Sequence, residues 1–205
     1  MIKAVIFDMD GTLADTNPLI KRSIQKKLAD LGLPSSDIRS KTSTLIEFWT
    51  RLKKKRALAE PVDVLVQKNR EIYWGLLAGI QPLPGVMKTL KMLKKRGIKI
   101  GLATGAAHKS IETITGELDI RHYFDAIVST HDVGRSKPSP HVYLEAAKRL
   151  GVPPSACIAV ENEADGIASA KAAGMRCIGV KICATEELNA DIIIESLEKF
   201  EVDML

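Results

Sequence analysis

Apolar and polar positions fall in blocks along this chain. Short runs rich in Val and Ile, bounded by turn residues, occupy residues 3–8, 98–103, 125–129, 157–161, 176–180 and 191–194. Uninterrupted apolar runs of this length fit strands buried on both faces. Between them, residues 86–96, 141–150 and 166–173 carry helical spacing, and each is followed by a glycine, Gly97, Gly151 or Gly174. Glycine there accepts the left-handed conformation that closes a helix. Ser139 and Pro140 read as an N-cap followed by proline at the first helical position. Strand, helix and strand repeated at this cadence predict a Rossmann-like parallel α/β sheet with right-handed crossovers.

One block breaks the cadence. Residues 14–83 contain no convincing strand, whereas Ile20, Ile24, Leu28 and Leu31 recur at helical spacing, as do Val62, Leu65, Val66, Ile72, Tyr73, Leu76 and Leu77. About 70 residues is far too long for a crossover connection. The pattern therefore predicts an α/β core domain made of residues 1–13 and 84–205, with 14–83 inserted as a small α-helical domain. The turn Pro82-Leu83-Pro84-Gly85 returns the chain to the sheet.

Composition narrows the class. The chain has 205 residues, 45% hydrophobic and 27% charged, which is globular and excludes disorder. Cys157, Cys177 and Cys183 form no CxxC pair, which suits reduced thiols. The first residues show no secretory pattern, and no apolar run approaches the roughly 20 residues that cross a bilayer. A cytoplasmic protein with no membrane partner is expected.

The formal net charge is +5, and Lys53, Lys54, Lys55 and Arg56 form a basic run. Phosphate backbones attract such runs, but no aromatic residue is interleaved with this one to stack on bases. It reads as a solvated helix face, with no nucleic-acid partner expected. Residues 14–83 hold 13 Lys and Arg against 7 Asp and Glu, and the remainder holds 17 against 18. The excess positive charge lies in the insert, where it would draw a small anion.

In an open parallel sheet, ligands sit beyond the carboxyl ends of the strands. The first strand is followed by Asp8-Met9-Asp10-Gly11-Thr12, two carboxylates that would point the same way and repel. The second ends in Ala103-Thr104-Gly105-Ala106, a hydroxyl and turn amides suited to an anion. The third is followed by Lys137 within Ser136-Lys137-Pro138-Ser139-Pro140, and the fourth by Glu161-Asn162-Glu163-Ala164-Asp165. Carboxylates, a hydroxyl and an ammonium at four strand ends suit a hard divalent cation together with a phosphoryl group.

In this order and placement, the motifs resemble the haloacid dehalogenase-like hydrolase superfamily. The helical insert resembles the small cap domain of the subfamily that holds phosphoglycolate phosphatases and β-phosphoglucomutases, as do the stretches KPSP and AVENEADGIASAKAAGM. The resemblance implies a Mg²⁺-dependent hydrolase of small phosphate monoesters, with a small phosphorylated metabolite as its partner. Asp8 would be the nucleophile that forms an aspartyl-phosphate, and Asp10 the general acid and base. Thr104 and the amides of Gly105 and Ala106 would hold phosphoryl oxygens, and Lys137 would neutralise charge on Asp8 and the phosphate. Mg²⁺ would sit on Asp8, the Asp10 carbonyl and the fourth-strand motif, with Asn162 and Glu161 as candidate ligands. In the insert, Lys41, with Thr42 and Ser43, falls near the substrate-specificity loop of related caps, and Trp49 and Arg51 are further candidates.

The subfamily usually reads Glu-Asp-Ser where this chain has Glu161-Asn162-Glu163. An amide oxygen still coordinates Mg²⁺ but brings no charge, so a weaker metal site is expected. A β-phosphoglucomutase-like phosphotransferase is the alternative enzyme, but members of that group resemble DGV and carry a His where this chain has Ile20. A non-catalytic phosphate-binding protein of the same fold is a third reading, motivated by Asn162. Against it, Asp8, Asp10, Thr104 and Lys137 are all present.

Overall fold

A computed structural model describes residues 1–38, 44–184 and 186–205. In chain order its strands and α-helices are β1 (Ala4–Phe7), α1 (Asn17–Asp30), α2 (Leu45–Arg56), α3 (Val62–Leu76), α4 (Val86–Lys95), β2 (Lys99–Thr104), α5 (His108–Glu117), β3 (Ala126–Ser129), α6 (Thr130–Val133), α7 (His141–Leu150), β4 (Cys157–Glu161), α8 (Ala164–Ala172), β5 (Arg176–Val180) and β6 (Ile192–Ile194). Every apolar run predicted as a strand forms one. All six pair in parallel, in the order β3-β2-β1-β4-β5-β6.

This order determines where a site can form. β1 lies in the middle, with Phe7 beside Leu102 on one side and Val160 on the other. The chain leaves β1 toward β2 and β3, then crosses back to add β4, β5 and β6 on the far side. Connections diverging at β1 and β4 leave a crevice at their carboxyl ends. β1 is wholly buried, and Ala4 and Ile6 pack in a core with Val142, Tyr143, Ala146 and Leu150 of α7.

The glycines predicted as helix stops follow α4, α7 and α8 with positive φ. Two boundaries differ from expectation. α8 begins at Ala164, ahead of the predicted start, with Glu163 as its N-cap residue and Asp165 in its first turn. Ser139 does not cap α7: Pro140 is the N-cap residue, and the Ser139 hydroxyl sits 2.7 Å from His141 Nδ1.

The chain divides into two compact units, Met1–Asp15 with Gly79–Leu205, and Thr16–Ala78. In the helical unit, Ile24, Leu28, Phe48, Trp49, Leu52, Leu65 and Val66 form a core. Helix α2 starts on a capping box, in which the Thr44 hydroxyl accepts from Glu47 N and Glu47 accepts from Thr44 N. The basic run at its end is largely solvated, as expected, with Lys54, Lys55 and Arg56 exposed, but part of it also has structural partners. Lys53 Nζ caps the carbonyls of Leu58, Ala59 and Glu60, while Lys55 and Arg56 pair with the buried Asp37 at 2.6 and 2.8 Å. Lys53 thus closes the turn after α2, and Lys55 and Arg56 satisfy one carboxylate.

A polar chain threads this core. Trp49 Nε1 donates to Asn69 Oδ1 at 3.1 Å, and Asn69 Nδ2 donates to Ser23 Oγ at 2.7 Å. Ser23 Oγ donates in turn to Ile20 O at 2.7 Å. Trp49, a candidate for ligand contact in the sequence, is fully buried here, whereas Arg51 is exposed. Asn69→Ala strands the indole N–H in the core and is expected to destabilise the helical unit by about 2 kcal/mol. Both tryptophans, Trp49 and Trp74, lie in this unit, so a urea titration followed by tryptophan fluorescence reads the loss directly. An unchanged midpoint would show that the chain is dispensable.

Candidate active site

Because Phe7 and Val160 are in register, the residues after them, Asp8 and Glu161, emerge side by side. Asp8 N–H donates to Val160 O at 2.9 Å, which extends the ladder by one bond. Both carboxylates are buried, Asp8 at 6% exposure and Glu161 at 1%. Two such anions without a counter-charge would repel strongly in a poorly solvated site.

Lys137 resolves the conflict. Its Nζ lies 2.6 Å from Asp8 Oδ1 and 2.6 Å from Glu161 Oε1, and donates to Ala103 O at 3.0 Å. Burial alone would depress the ammonium, but the charges of Asp8 and then Glu161 outweigh it and hold Lys137 above its ordinary value. All three ammonium protons are spent on the protein. An anion entering the site would therefore meet Lys137 as a charge, with no ammonium proton left to donate.

Glu161, a candidate metal ligand in the sequence, has another duty. Oε1 accepts from both Lys137 and the Tyr143 hydroxyl, each at 2.6 Å, and Oε2 accepts from Asn162 N at 3.2 Å. With its oxygens committed in this way, Glu161 is the anchor of Lys137 and is not placed to ligate a cation. Burial raises its carboxyl, the ammonium lowers it, and the direction that survives is upward. Its carboxylate lies against Gly166 in α8, where any Cβ would overlap it.

The turn after β1 is tight, with Gly11 N donating to Ala14 O at 2.7 Å and Leu13 N to Met9 O at 2.9 Å. Gly11 has φ +80°, and a Cβ there would collide with the Asn162 amide. The turn thus needs glycine for conformation and for space. Thr12 Oγ1 donates to Asn162 Oδ1 at 3.1 Å. On the other side of the site, Thr104 Oγ1 lies 3.4 Å from Asp10 Oδ2 and accepts from Ala106 N at 3.1 Å. The Ala106 carbonyl accepts from Ser129 Oγ at 2.6 Å. The Ala106 amide, a predicted anion donor, is thus engaged inside its own turn and would have to exchange the Thr104 hydroxyl for a ligand oxygen.

Asp8, Asp10, Thr104, Gly105, Ala106, Glu161 and Asn162 belong to the sheet unit and sit at or just beyond its strand ends, and Lys137, in the same unit, reaches them from the turn between α6 and α7. Lys41, Thr42 and Ser43 lie outside the described residues. Sequence reading missed Tyr143, Ser129 and Gly166, because on sequence Tyr143 looks like one more apolar helix position and the other two like ordinary turn and helix residues.

The donor set can be tested for a divalent cation. Among the described residues no three His, Cys, Asp or Glu side chains form a metal cage. Asn162 is 1% exposed, and its Nδ2 has no hydrogen-bond partner among the described residues. A buried NH₂ without an acceptor costs about 1–3 kcal/mol. Turning the amide over lets Nδ2 donate to the Thr12 hydroxyl and puts the oxygen in the orphaned position, which then calls for a cation or donor. Asp8, the Asp10 carbonyl and Asn162 therefore fit a hard cation that keeps several waters, such as Mg²⁺.

Comparison with known proteins places this geometry. The family profile of haloacid dehalogenase-like hydrolases matches residues 2–174. Hexitol phosphatase B of Escherichia coli is 33% identical over 196 residues, covering 87% of this chain and 83% of its own. Fructose-1-phosphate phosphatase YqaB of Escherichia coli is 32% identical over 185 residues, covering 87% and 96%. The crystal structure of CbbY from Rhodobacter sphaeroides in complex with xylulose-(1,5)bisphosphate superposes with a TM-score of 0.86 at 28% identity, covering 97% and 96%.

Glycine inside a helix normally costs about 1 kcal/mol relative to alanine. Gly116 in α5 has nothing within 4 Å of an added Cβ, and Gly116→Ala should be neutral or stabilising. Gly166→Ala should do the reverse, since the methyl displaces Glu161 and leaves Lys137 short of one partner. Chemical denaturation of the two variants side by side checks this, and a stabilised Gly166→Ala would refute the close packing.

Proposed function

The chain belongs to the haloacid dehalogenase-like hydrolases, and on that footing we propose that it is a phosphatase of small phosphorylated sugars or similar metabolites, working through phosphoryl transfer to Asp8. The observation that carries this reading is the Asp8 carboxylate held by a buried ammonium, with Asp10 and the Thr104 hydroxyl beside each other at the same strand ends. The names of the two relatives, a hexitol phosphatase and a fructose-1-phosphate phosphatase, support the substrate class. Residues 14–83 would serve as the cap domain that reads the body of the substrate.

Lys137 pairs with and orients Asp8, so its carboxylate can attack phosphorus in line with the departing alcohol. Asp10 gives a proton to that alcohol, then takes one from the water that opens the aspartyl-phosphate. Thr104 can turn its hydroxyl from Asp10 Oδ2 to a phosphoryl oxygen, joined by the turn amides of Gly105 and Ala106. Asp8, the Asp10 carbonyl and Asn162 would hold Mg²⁺, which when bound supplies positive charge against the phosphoryl oxygens.

A panel of phosphate esters that includes hexitol phosphates, fructose 1-phosphate and phosphoglycolate should show phosphate release for at least one member. Asp8→Asn should lower that release by about 10³-fold or more. Isomerisation of a sugar phosphate without net phosphate release would favour the mutase instead, and equal release by wild type and Asp8→Asn would end the proposal.

Asn162→Asp adds a formal charge to the ligand set. It should lower the Mg²⁺ concentration that gives half-maximal activity and enlarge the rise in melting temperature that Mg²⁺ produces. If neither changes, Asn162 is not a ligand.

A further inference from the structure

We propose that Tyr143 is a positioning residue for this reaction, whose hydroxyl fixes the Glu161 carboxylate so that Glu161 in turn holds Lys137 against Asp8. The inference rests on the phosphatase reading above. Four residues from four segments form one chain: Tyr143 on α7, Glu161 at the end of β4, Lys137 in the turn before α7, and Asp8 at the end of β1. The links Tyr143 OH to Glu161 Oε1, Glu161 Oε1 to Lys137 Nζ, and Lys137 Nζ to Asp8 Oδ1 are each 2.6 Å.

Packing does not require the hydroxyl. Tyr143 is fully buried on an apolar helix face with Val142, Ala146, Ala147 and Leu150, where phenylalanine would fill nearly the same volume. A buried tyrosine hydroxyl must find a partner or leave a polar group stranded. Here the partner is the carboxylate that holds the site's buried ammonium. Burial, and then the charge of Glu161, raise the phenol well above its ordinary value, so it remains a donor across the neutral range. The Tyr143 ring also lies 5.3 Å from Lys137 Nζ, so the ammonium meets the face of the residue that orients its counter-ion.

The hydroxyl supplies one of the donors that set the rotation of the carboxylate; the others are Lys137 itself and Asn162 N. Without it, Glu161 is anchored away from the ammonium only through Oε2 and the wall at Gly166. Lys137 then has a looser seat, and Asp8 inherits the looseness. Small errors in the position of a reacting group cost rate steeply. The groups proposed to hold the substrate's phosphoryl oxygens, Thr104, Gly105 and Ala106, share no hydrogen bond with Tyr143 among the described residues, so the defect should fall on kcat.

The test is a double-mutant cycle on the full chain with the best substrate of the panel. Tyr143→Phe should lower kcat about 10-fold with KM within about 2-fold. In the Glu161→Gln background the same substitution should have little further effect, because the neutral amide has already lost the ion pair to Lys137 that the hydroxyl serves. Val142→Ala, which thins the same helix face without touching the carboxylate, is the structural comparison, and its effect should multiply with that of Glu161→Gln. An unchanged kcat for Tyr143→Phe, or a penalty that multiplies with Glu161→Gln as the Val142 control does, would overturn the positioning role. If wild type releases no phosphate, or Asp8→Asn matches it, the phosphatase reading falls and the role of Tyr143 falls with it. With those controls intact, a silent Tyr143→Phe removes the positioning role alone.

Discussion

A buried ammonium shared by two buried carboxylates is the interaction on which this molecule turns. Lys137 draws together the ends of β1, β2 and β4 through Asp8, Ala103 and Glu161. Taking one partner from such a cluster leaves an uncompensated charge in the interior, at a cost of about 3–5 kcal/mol. The surroundings are consequently shaped to its tolerances. Gly166 makes room for Glu161, Tyr143 supplies a second donor to it, and the turn after β1 is closed around the Asn162 amide at Gly11. Assembling the site also satisfies charges that the fold has already buried.

Strand order explains why these groups meet at all. The residues come from positions 8, 103, 137 and 161, far apart in the chain, and parallel pairing brings all the carboxyl ends to one edge of the sheet. Because β1 is flanked by β2 and β4, its own terminal residue is the one with neighbours on both sides. The nucleophile candidate thus occupies the position where it can be reached by a hydroxyl from one flank and a carboxylate from the other. A residue at the end of β6, an edge strand, would have no second flank.

Much of this was legible in the sequence. The strands announced themselves because both-face burial demands uninterrupted apolar runs, and the acidic and hydroxyl motifs because they follow those runs directly, while Lys137 stood out in a stiff Pro-flanked turn before a helix. The parts that stayed hidden depend on side-chain direction. Glu161 looks like a cation ligand beside Asn162, and only the placement of Lys137 and Tyr143 shows that its charge is already answered. The basic run 53–56 is the largely solvated face its sequence suggests, but that Lys53, Lys55 and Arg56 also hold Asp37 and the carbonyls after α2 could not be read from it. Tyr143 carries no sequence signal, since an aromatic residue on an amphipathic helix is expected in the core with or without its hydroxyl.

The position of the helical insert follows from the same tightness. The chain departs only a few residues after Asp8, at the point where disorder would be most damaging to the site. Inserting a unit of this size would ordinarily slacken the segment that precedes it. Here the departing and returning strands are tied before the insert begins: Ala14 bridges Pro82, and Leu83 N donates to Leu13 O at 2.9 Å. With those ends held together, the insert Thr16–Ala78 is a long loop whose closure is already made. The penalty for loop length grows only slowly, by about 0.6 kcal/mol for each doubling. The turn from Asp8 to Ala14 can therefore stay rigid despite the length of the insert, so the carboxylates proposed for the chemistry are held independently of the segment that follows them.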